Sequence, residues 1–223
     1  MEIEILKLKL LIDQTLTRRD AEKVRGYLGQ LFWDEPFAHH HTPDGKLIFQ
    51  YPCVQYKVVD GACLVIGFGQ GMSVVEQTFY KLKEIVLDDV AQEILTQGLE
   101  KCRHLFSLSR CPVKYTFLTP WLALNEENYE KYKGMKSWGE KETLLKKILI
   151  GNIISVAKGV GYVIPDKIVV SRLKVFPTRT PVRLKGVGMT AFLGEFAVNF
   201  ELPDYFGLGE SVSRGFGTIK RIE

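Results

Sequence analysis

The chain has 223 residues, 46% of them apolar, and a net charge of +4. That size and composition exclude intrinsic disorder and allow either one large domain or two compact ones of about 100 residues. No apolar run approaches the ~20 residues that span a bilayer. The start Met1-Glu2-Ile3-Glu4 also lacks the basic opening of a signal peptide, so no membrane partner and a cytoplasmic address are expected. Residues 3 to 10 read Ile-Glu-Ile-Leu-Lys-Leu-Lys-Leu, an alternation that predicts a strand with one buried face. Thr17 followed by Asp20 resembles a helix N-cap, and Ala21, Val24, Leu28 and Leu31 continue at helical spacing. Two apolar stretches, Leu47 to Val59 and Ala62 to Phe68, flank Asp60-Gly61, a pair suited to the positive φ of a tight hairpin. Met72 to Ile85 returns to helical spacing, and Leu99 to Leu108 supplies a weaker strand signal. The order β-α-β-β-α-β is that of a ferredoxin-like sheet with two helices on one face and the other face left available.

After Pro112, Phe117 to Leu122 and the charged Asn125 to Lys136 read as an irregular connection. Ser137 with Glu140 then forms a capping box for a long helix carrying Leu145, Leu149, Ile153 and Val156, ended by Gly159 and Gly161. Three strand-like segments follow, Ile168 to Phe176, Val182 to Lys185 and Thr190 to Leu202, before a glycine-rich turn and a closing strand, Thr218 to Ile222. The fold class expected is α+β: two tandem ferredoxin-like (RRM-like) modules, residues 1–111 and 112–223, with antiparallel sheets and helices on one face.

Cys53, Cys63, Cys102 and Cys111 form no CxxC pair, and no histidine stands at zinc-finger spacing. They read as reduced core thiols, with no disulfide, structural metal or cofactor implied. Charge is unevenly placed. Up to Arg110 there are 13 Lys/Arg against 15 Asp/Glu, and from Cys111 onward 17 against 11. Within the second half, Lys158, Lys167, Arg172, Lys174, Arg179, Arg183 and Lys185 face the single acid Asp166. A solvated surface mixes signs, so this stretch is the candidate for binding phosphates.

The segment from Gly207 to Gly217 places Gly207, Gly209, Gly215 and Gly217 around the basic Arg214. Glycine reaches backbone angles closed to other residues and allows close approach to a phosphate or a neighbouring element. The loop ends in no Gly-Lys-Ser/Thr, so it is not a Walker loop, and it precedes a strand, so it is not a dinucleotide fingerprint. Gly-Leu-Gly, five residues, then Gly-Phe-Gly resembles the C-terminal signature of the CRISPR-associated RAMP superfamily, in particular the endoribonucleases that cut precursor CRISPR RNA within each repeat. His39-His40-His41, the run Tyr51-Pro52-Cys53-Val54-Gln55-Tyr56-Lys57 and Gly67-Phe68-Gly69-Gln70-Gly71 are similar to the N-terminal region of a compact subgroup of these enzymes. A second reading of the loop is a tight packed connection that marks the family without touching RNA.

The resemblance implies a metal-independent cut of CRISPR repeat RNA that leaves a 2′,3′-cyclic phosphate or its opened form and a 5′-hydroxyl, with a histidine and often a tyrosine from the first module. Carried over by position, the catalytic candidates are His39, His41, His40 and Tyr51. Imidazole suits the task, because an unperturbed pKa of about 6.5 leaves both protonation states accessible. Adjacent residues of an extended segment point to opposite faces, which pairs His39 with His41 but leaves His40 open as the working residue. Those two could also converge on an ion, although the ligand-rich spacing of a zinc site is absent. Tyr51 fits proton donation or phosphate hydrogen bonding, or plain packing on the sheet. Lys57 could neutralise the phosphate, although a lysine ending a strand reads first as a solvated residue, and His104 reads as a structural histidine. Expected partners are CRISPR repeat RNA, with other subunits of a CRISPR effector complex and a homodimer left open. The alternatives are a non-cleaving RNA-binding subunit of such a complex and a phosphate-binding metabolic enzyme on the same scaffold.

Overall fold

Alternation in the first strand sets the frame of the N-terminal unit. A computed structural model describes residues 1–32, 50–184 and 186–223. Strand β1 (Glu2–Ile12) turns Leu6, Leu8, Leu10 and Ile12 into a core shared with Ala21, Val24 and Leu28 of helix α1 (Asp20–Leu31). The start of α1 departs from the expected cap. The Asp20 carboxylate accepts from the Thr17 amide at 2.8 Å and from its hydroxyl at 2.7 Å, so the acid reaches back while Thr17 donates. Strands β2 (Val54–Val59) and β3 (Ala62–Phe68) pair through the turn at Asp60 (φ 51°) and Gly61 (φ 77°), as the sequence predicts.

Helix α2 (Gly71–Lys81) stops earlier than its spacing suggests, because Ile85 already lies in a short strand, β4 (Glu84–Leu87). That strand forms a hairpin with β5 (Val90–Leu105), which begins well before the expected Leu99. The order β2-β3-β1-β5-β4 is therefore ferredoxin-like with β4 added at the edge. The sheet face away from the helices is not left free at β2. Gln55 and Lys57 point to that side and are fully buried.

The second unit repeats the plan. It comprises β6 (Ser107–Phe117), α3 (Glu126–Gly134), α4 (Trp138–Gly159), β7 (Val170–Pro177), β8 (Val182–Leu184), β9 (Val187–Met189), β10 (Phe192–Glu201) and β11 (Ile219–Ile222). The order β11-β6-β10-β7 again follows the ferredoxin pattern. The capping box of α4 forms as expected, with Ser137 and Glu140 bonding reciprocally, and Leu145, Leu149, Ile153 and Val156 are buried. Helix α3 replaces the irregular connection expected there, capped by Asn125 accepting from the Asn128 amide at 2.9 Å. The core is aromatic, with Tyr115 against Phe196 at 5.3 Å and Phe117 stacked on Trp121 at 5.1 Å. Between β10 and β11, where a second helix would stand, the described chain holds the glycine-rich segment and a 3-10 turn, Val212–Arg214.

By compactness the chain divides into Met1–Leu105 with Val212–Gly215, and Phe106–Ser211 with Phe216–Glu223. Among the described residues no helix is long and apolar enough to cross a membrane. All four cysteines are free. Cys63 is buried as expected, whereas Cys111 is exposed. It lies where the register of β6 against β10 shifts, between Leu108 and Val113, so its stretch bulges out of the ladder.

Candidate functional site

The glycine-rich loop is anchored at its base within the second unit. Leu208 donates to the Gly217 carbonyl at 2.9 Å, Gly217 to Pro120 at 2.9 Å, Glu210 to Leu122 at 3.0 Å and Thr218 to the Thr119 hydroxyl at 2.9 Å. Protein oxygens thus take these amides. Gly217 has φ +59°, and a Cβ there would lie 1.9 Å from the Leu208 carbonyl oxygen. A Cβ on Gly209 would meet the Trp121 indole at 2.8 Å. These two positions require glycine because of what packs on them, independently of any ligand.

The tip of the same loop, Val212–Gly215, belongs to the first unit. Gly215 (φ +85°) is seated so closely that a Cβ would come 2.8 Å from Ala21 Cβ and 3.2 Å from the Tyr56 carbonyl oxygen. Arg214 pairs with Glu22 of α1 at 3.2 Å. Arg25 also belongs to this group; burial, and then the neighbouring Arg214 guanidinium, lower its pKa. Lys57, which the sequence presents as a solvated strand end, is fully buried, and its Nζ donates to the Val212 carbonyl at 2.9 Å.

Burial holds the Lys57 ammonium down at about 7, from an ordinary 10.5. Above pH 7 the folded chain keeps a neutral amine there, while the unfolded chain still binds the proton. Stability therefore rises with pH from about 7, at no more than about 1.4 kcal/mol per pH unit. Cys63 of the adjacent strand, whose thiol burial pushes up to about 12 from 9, opposes this above pH 9, when the unfolded thiol ionises first. Chemical denaturation between pH 7 and 9 is expected to show the rise in the wild type, and Lys57→Met should flatten it.

The other candidates fall in several places. His39, His40, His41 and Lys185 lie outside the described residues. Tyr51 precedes β2, half-buried, with its ring against Phe68 at 6.0 Å. His104 is half-buried on β5 opposite Ile3. Arg172 and Lys174 project from one face of β7, and Arg179 and Arg183 follow on the connection to β8 and on β8 itself, all exposed. Lys158 and Lys167 line a groove of about 670 Å³ beside α4, whose other walls include Ile150, Ile154 and Ile168. Arg214 belongs to the first unit.

Two family models divide the chain between them. Residues 1–104 match the Cas6b N-terminal domain and residues 107–222 the Cas6b C-terminal domain. The chain belongs to the Cas6b family. A crystal structure of Cas6b is similar over 100% of both chains, with 34% identity and a TM-score of 0.92. That of a CRISPR RNA processing endoribonuclease Cas6b is similar over 100% of both chains, with 32% identity and a TM-score of 0.79. An uncharacterized protein of Methanocaldococcus jannaschii is 43% identical over 118 residues, 53% of this chain and 78% of that protein.

In this Cas6b family member, sequence reasoning missed the surroundings of the loop tip. Arg25 stands one residue after the buried Val24 and reads as helix surface. Only the fold, which brings Arg214 from 189 positions away, reveals the group. For Lys57 the sequence pointed the other way: Val54-Gln55-Tyr56-Lys57-Val58 alternates apolar and polar as a half-buried strand does, yet all five residues are buried.

Proposed function

We propose that this Cas6b family member is a site-specific endoribonuclease that cuts CRISPR repeat RNA without a metal, by attack of the 2′-hydroxyl and with histidine as acid and base. Full-length likeness to the structure of a CRISPR RNA processing endoribonuclease Cas6b carries the reading. The residues fit it. Tyr51 precedes β2, the strand against which the glycine-loop tip is seated, and the His39-His40-His41 cluster comes earlier in the sequence. A base takes the 2′-hydroxyl proton, the freed oxygen bonds to phosphorus, and the bond to the 5′-oxygen breaks as an acid protonates that oxygen. The products are a 2′,3′-cyclic phosphate and a 5′-hydroxyl. His39 and His41 are the preferred pair, with His40 as the other register and Tyr51 as a donor to the phosphate.

Binding falls to the second module, residues 112–223, through Lys158, Lys167, Arg172, Lys174, Arg179, Arg183 and Lys185, while Arg214 adds charge beside the first. Phosphate contacts of this kind position RNA and make affinity fall with salt. Incubating the purified protein with end-labelled repeat RNA tests the reading. One discrete cut ending in a cyclic phosphate is expected. RNA that is bound but left intact across several repeats would replace the nuclease with a non-cleaving RNA-binding subunit.

A further inference from the structure

The sheet of the second unit has one face packed on its core through Tyr115, Leu173, Val175 and Phe196, all buried. Its opposite face is open. The register sets Lys174, Glu195, Thr116 and Lys220 in one row across β7, β10, β6 and β11, and Arg172, Ala197, Lys114 and Ile222 in the next. Arg172, Lys174, Lys114 and Lys220 are exposed, against the single carboxylate Glu195. Among the described residues no carboxylate pairs with Arg172, Lys174 or Lys220, and Lys114 donates to the Glu223 carbonyl at 2.7 Å. Beyond these rows Phe176, 58% exposed, lies opposite Leu193, 38% exposed, on the same face.

We infer that this face is a platform for single-stranded RNA, with Phe176 stacking an unpaired base at one end and the four cations holding the phosphates of the strand that runs on from it. The inference rests on the RNA-processing reading and specifies which form of RNA this face takes. Charge complementarity selects a polyanion, and the ring decides between its forms. An A-form duplex offers phosphates and hydroxyls but keeps its bases stacked, so an outward phenylalanine gains nothing from it. An unpaired base presents a π-face that any aromatic ring can cover. Strands about 4.8 Å apart spread the row from Lys174 to Lys220 over roughly 14 Å, room for two or three nucleotides, as on other four-stranded RNA-binding sheets.

Fluorescence anisotropy with the full chain, using an oligouridine and a blunt RNA duplex of equal length, tests this. Phe176→Ala is expected to weaken oligouridine binding roughly tenfold and leave duplex binding within about twofold. Arg172→Ala, Lys174→Ala and Lys220→Ala combined should make the salt dependence for oligouridine shallower by about 2. Wild-type oligouridine affinity in Phe176→Ala, or an equal loss on both RNAs, overturns the platform. Wild-type cleavage of repeat RNA is measured separately. If cleavage is absent while Phe176→Ala still loses only the single strand, the nuclease reading fails and the platform stands.

Discussion

Alanine at His39, His40 and His41 together is expected to lower the single-turnover cleavage rate of repeat RNA by at least ~10³-fold, with RNA affinity little changed. A positioned acid or base contributes about 10²–10⁴-fold to a proton-transfer step, and the triple change removes both candidates at once. The losses need not multiply, since groups that act as a unit fail together. Single alanines resolve the register. If alternation along an extended segment holds, His39→Ala and His41→Ala each fall by about 10²-fold or more and His40→Ala stays near wild type. The reverse pattern would make His40 the working residue. Affinity measured beside the rates separates chemistry from binding, because the cations assigned to the phosphates are untouched.

Gly217→Ala should be among the most damaging single substitutions in the chain. Its added Cβ would lie 1.9 Å from the Leu208 carbonyl oxygen and 2.9 Å from the Leu208 carbonyl carbon, at a φ of +59°. Neither side yields easily, since Gly217 donates to Pro120 and accepts from Leu208. A loss of about 3–5 kcal/mol follows from strain and broken hydrogen bonds, which lowers Tm by roughly 10 °C in a protein of this size. Gly26 is the control. It lies in α1 with nothing within 4 Å of an added Cβ, so Gly26→Ala should raise stability by about 0.5–1 kcal/mol. A thermal melt of both variants checks the contrast.

Local signals were legible where a few neighbouring residues decide the conformation. Asp60-Gly61 makes its turn through its own backbone angles, and Ser137 with Glu140 closes its capping box within four residues. The glycine loop was legible as a pattern, but its cause lies in Trp121, Leu122 and Ala21, distant in sequence. The first part of β5 stayed hidden because it is paired on polar faces, with Val90 and Leu95 exposed, so no alternation marks it. Helix α3 lacks an apolar stripe, and only Tyr132 of it is buried. Its signals were the Asn125 cap, acids in the first turn and lysines in the last, which complement the helix dipole. Lys57 shows the limit most clearly, since its partner Val212 stands 155 residues away.

The most direct measurement of the proposed chemistry is incubation of the wild-type protein in EDTA with two repeat RNAs that differ only by a 2′-deoxy substitution at the cut site. The ribose substrate is expected to be cut once and the deoxy substrate to bind and remain whole. Cutting of the deoxy substrate, or cleavage lost in EDTA and restored by a divalent ion, would contradict attack by the 2′-hydroxyl under histidine control.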